Sequence, residues 1–144
     1  MQKEVVNDFK VVTSIINAVR NADVNGTGVD TAQYNSLTFL AVVGDSADTL
    51  SGTNKIEIET EESDDNSSYT DVANADLEGY VAATNTGTFA LIDAPTEDQT
   101  TFVAGYKGGK RYARPVLNFS GTHSTGTPIG VIGVLSNAKY PPAA

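Results

Sequence analysis

The chain has one histidine, His123, in the run Thr122-His123-Ser124. A serine-based relay would have to be built around it, because imidazole is the side chain that takes a proton from a hydroxyl near neutrality. Its neighbours are hairpin residues, GTHSTG, and the Gly-x-Ser-x-Gly elbow that exposes a nucleophile does not occur. His123 therefore reads as a solvated turn histidine. No catalytic residue is assigned, and the chain is expected not to be an enzyme.

The richest acidic constellation runs from residue 57 to 78 and includes Glu61, Glu62, Asp64, Asp65 and Asp71. Closely spaced oxygen ligands are what a hard cation such as Ca²⁺ requires. The run SDDNSSYTD (63–71) lacks the central Gly and the terminal bidentate Glu of the twelve-residue calcium loop, so a solvated turn is the reading and no metal is assigned. Acid pairs for glycoside hydrolysis could be drawn from the same tract, but separation in space defines such a site and nothing in the spacing selects a pair. Neither a Gly-x-x-x-x-Gly-Lys loop nor a Gly-x-Gly-x-x-Gly fingerprint is present, so no nucleotide or other cofactor is expected.

Against that acidic middle stands KGGKRYAR (107–114), which carries Lys107, Lys110, Arg111 and Arg114, four of the nine basic residues. Arg and Tyr are enriched at protein interfaces, and Arg forks onto carboxylates. Lys107, Lys110, Arg111, Tyr112 and Arg114 are thus candidate partner contacts, with an acidic protein surface the better match because the molecule as a whole would repel a polyanion.

These residues must be positioned by strands. Residues 36–43 (SLTFLAVV) read as a buried central strand. Residues 55–61 (KIEIETE) alternate, with Ile56, Ile58 and Thr60 on a buried face and Lys55, Glu57, Glu59 and Glu61 on a solvated one. Further strands are expected at 69–72, 87–92, 100–106, 111–119 and 129–135, punctuated by Asn25-Gly26, Gly44-Asp45, Asp93-Ala94-Pro95, Gly108-Gly109 and the 121–127 hairpin. Residues 74–79 read as a loop or one short turn. Pro115 supplies no ladder N–H, so its strand must be an edge or bulged there.

Between residues 5 and 19 two signals conflict. Val5, Phe9, Val12, Ile16 and Val19 recur at helical spacing, while Val5, Val6, Val11, Val12, Thr13, Ile15 and Ile16 are β-branched. The expectation is an extended arm or edge strand over 1–24, with a short helix as the alternative, leading into a β-sandwich over 25–144. Seven or eight strands with turns between them indicate an all-β sandwich or jelly roll.

At 144 residues one domain can bury a core without staples. Eighteen acids against nine bases give a net charge of −9, which opposes binding to nucleic acid or to an anionic membrane surface. With no Cys, disulfides and thiolate metal sites are excluded. The longest apolar run, 39–43, is far short of the ~20 residues of a membrane span, and the N-terminus does not read as a secretion signal.

Three segments, GTGVDTAQYNSLTFLAVVGD (26–45), ETEESDDNSSYTDV (59–72) and GYKGGKRYARPVLNFSGTHSTGTPIGVIGVLSNAKYPP (105–142), together resemble small decoration or cement proteins of tailed bacteriophage heads. The last segment is the most distinctive. The resemblance implies a jelly roll or related sandwich without enzymatic activity. It also implies a homo-oligomer, dimer or trimer, that sits on the outside of the virion head across capsomer boundaries and binds the major capsid protein, after synthesis in the host cytoplasm. Within that reading the N-terminal arm, with Val5, Val6, Phe9, Val11 and Val12, joins the 107–114 segment as candidate contact surface, by pairing with a neighbour's sheet edge. A carbohydrate-binding module stacking sugars on Tyr69, Tyr80 or Tyr106 is the alternative.

Overall fold

A computed structural model describes residues 8–140. Its long strands are β1 (Phe9–Arg20), β4 (Tyr34–Val43), β5 (Lys55–Ser63), β8 (Thr88–Ile92), β9 (Thr100–Tyr106), β10 (Tyr112–Ser120) and β11 (Thr127–Ala138). Four two-residue strands complete the set: β2 (Val24–Asn25), β3 (Val29–Asp30), β6 (Thr70–Asp71) and β7 (Leu77–Glu78). A 3-10 turn at Asn74–Asp76 leads into β7, where a loop or short turn was expected.

The strands form two antiparallel sheets. The first has the order β1-β11-β4-β9-β7; the second runs β2-β10-β5-β6, with β3 also on β10 and β8 also on β5. Taking β2 with β3, and β6 with β8, as single interrupted strands, and setting aside the two-residue β7 that adds to the edge of β9, leaves eight positions along the chain. The first pairs with the eighth (β1·β11), the second with the seventh (β2 and β3 on β10), the third with the sixth (β4·β9) and the fourth with the fifth (β5 with β6 and β8). This is the pairing of one long hairpin folded over on itself, a jelly roll.

Alternation builds the core. Leu37, Phe39, Ala41 and Val43 of β4 point inward beside Ile129, Val131 and Leu135 of β11, against Ile56, Ile58, Phe89, Ile92 and Leu117 from the other sheet. At residues 9–20 β-branching prevails over helical spacing: β1 is an edge strand zipped onto β11, with ladder irregularities between Thr13 and Ala18. Helical spacing alone could not win here, since a helix would leave the long edge of β11 unpaired. Val5 and Val6 lie outside the described residues.

Two glycines are needed for close approach. Gly26 passes between β1 and β10, its N–H donating to the Pro115 carbonyl at 2.8 Å; an added Cβ would stand 2.6 Å from that oxygen and from Ser14 Oγ. Pro115 sits where β2 and β3 leave a gap on the edge of β10, so its missing N–H interrupts no ladder. Gly87 (φ +77°) enters β8 with its carbonyl on the Thr60 N–H, and a Cβ would be 2.7 Å from the Val72 carbonyl.

Two expectations about faces are corrected. Glu57 and Glu59 of β5 are buried, not solvated. The loop between β7 and β8 folds over Glu57, whose carboxylate accepts from the N–H groups of Thr84 (3.2 Å) and Asn85 (3.0 Å) and pairs with Lys55 at 2.8 Å. Burial pushes the Glu57 carboxyl up, but Lys55 and these N–H donors outweigh it and hold it below the usual carboxylate range. Conversely β4, central in its sheet, is buried on one face only: Val42 is 54 % exposed. Alternation identifies which side chains share a face, but not what covers that face.

Candidate docking surfaces

The 107–114 segment comprises the turn after β9 and the first three residues of β10, and its four cations all have partners within the chain. Lys107 pairs with Glu78 at 2.9 Å and Lys110 Nζ donates to Thr70 Oγ1 at 3.3 Å. Arg111 forks onto Asp30 of β3 (2.9 and 2.8 Å) and lies over the Tyr112 ring, 5.0 Å from its centroid. The Arg111 guanidinium holds the Asp30 carboxyl below the usual range, as Lys107 does for Glu78. Arg114 binds Glu61 at 2.7 Å and stacks on Tyr69 at 3.9 Å. Three of the four cations are therefore neutralised in ion pairs and Lys110 rests on a hydroxyl, with Lys107 and Arg111 half-exposed. Of the N-terminal candidates, Phe9 and Val11 lie on the outward side of β1 and Val12 packs against the core.

His123 is buried, which corrects the solvated-turn expectation. Its Nε2 lies 2.9 Å from the Ser120 carbonyl and its ring meets Phe119 edge-on at 4.9 Å. Nδ1 is 3.8 Å from the Asp48 carboxylate. That carboxylate receives the N–H groups of Thr125 (2.9 Å) and Gly126 (2.6 Å), which hold it below its ordinary range. Asp48 and His123 thus staple the 121–126 hairpin onto the connection between β4 and β5. The single-histidine hairpin contained no cue to this, because Asp48 is far away in sequence.

In the acidic tract, Asp65 Oδ1 accepts from the Ser67 and Ser68 N–H groups at 2.9 and 2.8 Å and from Ser63 Oγ at 2.9 Å. Those N–H donors hold its carboxyl below the usual range and close the turn. The acids that do converge are Glu59, Glu61 and Asp71, each offering one oxygen within 4.8 Å of the others. Burial pushes Glu59 up to about 7, reinforced by the charges of Asp71, Glu61 and Glu57 and opposed by the Asn118 amide beside it.

The four long strands of the first sheet show the opposite chemistry on their outer face. Register places Val11, Val134, Thr38 and Gly105 in one row, Thr13, Ile132, Leu40 and Val103 in the next, and Gly130, Val42 and Thr101 in a third. Across these four strands the rows contain no ionisable side chain; at the rim, β7 adds Glu78 beside Gly105, paired with Lys107. Val11, Val42 and Val103 are each about half exposed and Ile16, at the edge, is 72 % exposed. Gly130 opens a shallow furrow of ≈ 390 Å³ between Ile16, Leu40, Val42 and Ile132. Of the charges of β5 and β10, by contrast, Lys55, Glu57, Glu59, Glu61 and Arg114 project from the far side of the second sheet, and Glu62 alone takes the other phase, where it accepts from the Tyr106 hydroxyl. An uncharged sheet face on a chain of net charge −9 is a strong asymmetry. Its signal lay in 36–43 and 129–135, where apolar residues fill both phases of the alternation.

Of the tyrosines suited to sugar stacking, Tyr69 lies against Arg114 and Tyr106 turns its hydroxyl onto Glu62 at 2.7 Å, leaving Tyr80 exposed. Among the described residues no helix is long and apolar enough to cross a membrane. Compared with protein-family models and with curated protein sequences, the chain matches none.

Proposed function

We propose that this chain is a structural docking protein, a decoration or cement protein that binds the outside of a tailed-phage head and stabilises contacts between capsomers. The observation that supports docking is the uncharged outer face of the β1-β11-β4-β9 sheet, half-exposed valines included, opposite a sheet face that carries the acids. A monomer gains nothing from leaving such a face in water; covering it removes apolar area at about 25 cal/mol per Å². The nature of the partner rests on the resemblance of residues 26–45, 59–72 and 105–142 to decoration proteins. The major capsid protein and further copies of this chain, as a dimer or trimer, are the partners assigned, and no reaction is.

In this reading the apolar face supplies the interface centre, and Lys107 and Arg111 at the end of β9 supply rim contacts that set orientation more than affinity. A protein that binds the assembled lattice and not its free subunits stabilises that lattice by mass action, and repeated weak contacts across a shell add through multivalency. The test is co-sedimentation of the purified protein with decoration-free heads. Saturable binding supports the reading, and failure to co-sediment at low as well as moderate salt contradicts it.

A further inference from the structure

We propose that Glu59, Glu61 and Asp71 form a binding site for a hard divalent cation, calcium in preference to magnesium, which ties β6 to β5 on the outer face of the second sheet. One oxygen from each carboxylate lies within 4.8 Å of the other two. Carboxylate oxygens this close, with water free to reach them, suit the flexible six- to eight-oxygen shell of calcium, whereas magnesium demands near-ideal octahedral geometry and gives up its waters reluctantly. All the donors are oxygens, which disfavours zinc.

A cluster of acids alone would be an ordinary solvated patch; Glu59 makes this one different. It is 6 % exposed, and its Oε2 is buried with no hydrogen-bond partner. The Asn118 amide nitrogen beside it makes no hydrogen bond either, so the carboxylate oxygen stays enclosed and unpaired at a cost that a cation between Glu59 and its two neighbours removes. The charges balance as well. Glu57 is neutralised by Lys55, and Arg114 offsets one of the three clustered acids through Glu61 Oε2 at 2.7 Å. Two negative charges remain, the complement of one divalent ion. Asp71 and Glu61 are less buried than Glu59, which leaves room for the waters that complete calcium's six to eight ligands.

The topology gives the ion a structural role. β6 is held to β5 by two residue pairs, Glu61 with Asp71 and Glu62 with Thr70, and the turn between the two strands is closed by Asp65. An ion shared by both strands would fasten this short ladder. The site lies on the sheet opposite the proposed docking face, so head binding and cation binding can fail independently.

The experiment is calorimetric titration of EDTA-stripped, dialysed protein with CaCl₂ and, separately, MgCl₂, with thermal melts of the same samples. Expected are one Ca²⁺ per chain, at least about tenfold weaker Mg²⁺, and at 100 times Kd a roughly 100-fold shift of the folding equilibrium, a rise in Tm of about 10 °C. Glu59→Gln, near-isosteric and relieved of the buried charge, is expected to lose the Ca²⁺ response. Asp71→Asn, on the exposed two-residue strand, is a second variant that does not depend on the buried position. Absence of heat and of a Tm shift at millimolar Ca²⁺ would overturn the site, as would undiminished binding in both variants.

Discussion

Replacing Glu59 by Gln should make the cation-free protein more stable at alkaline pH while leaving it nearly unchanged at acid pH. Glu59 is pushed from 4.5 to about 7 in the folded protein, burial being the main cause. The folded state therefore holds this proton more tightly than the unfolded chain does. The stability that comes with the neutral carboxyl is fully present below about pH 4.5 and is lost as pH rises through about 7. At about 1.4 kcal/mol for each tenfold change in proton affinity, the upper bound on that loss is about 3.5 kcal/mol. Asp71 and Glu61 leave the cluster open to water on one side, which screens the charge and reduces the expected effect to about 1–2 kcal/mol. Urea unfolding of wild type and Glu59→Gln in EDTA, at about pH 5 and about pH 8.5, measures it as a difference of differences, which cancels the titration of the distant acids. Glu59→Gln should gain on wild type by about 1–2 kcal/mol between the two pH values. A flat difference, or a wild type that gains at high pH, would refute the reasoning.

Further outcomes follow from the same geometry. Arg114→Ala removes both the Glu61 ion pair and the stack on Tyr69 and leaves Glu61 unpaired beside Glu59, so a loss of about 1–3 kcal/mol is expected in urea unfolding; an unchanged midpoint would contradict it. Phe39→Ala, at a fully buried position between the sheets, should cost about 3–5 kcal/mol by the same measurement. Leu40→Glu together with Ile132→Asp, both on the outer face of the first sheet, should abolish co-sedimentation with heads while far-UV circular dichroism stays native. The double variant Lys107→Ala, Arg111→Ala should weaken head binding less than about tenfold, as expected of rim charges; complete loss would move the interface centre to the 107–114 segment.

The strand positions were legible because alternation and turn chemistry are local. Residues 55–63 form a strand where Ile and Thr alternate with charged residues, and 100–106 and 112–120 form strands where β-branched and aromatic residues lie between breaks of Gly, Pro, Asp, Asn and Ser. What was not legible depends on residues far apart in sequence. Glu57 looked solvated because its cover, Thr84 and Asn85, belongs to another loop. His123 looked exposed because Asp48 arrives from a different connection. The 107–114 cations looked free because Asp30, Thr70, Glu78 and Glu61 reach them only through the sheet pairing. The apolar face of the first sheet is half visible in the sequence: the apolar run 39–43 stands out, but a run buried on both sides and a run exposed on one have the same pattern.

Docking through that face is tested most directly by a density map of heads bearing this protein, at a resolution sufficient to place one jelly roll. The expected result has the β1-β11-β4-β9 sheet against the shell, with Leu40, Val42, Val103 and Ile132 covered and the Glu59, Glu61 and Asp71 side facing solvent. A map with the acidic sheet against the shell, or heads with no added density after incubation, would contradict it.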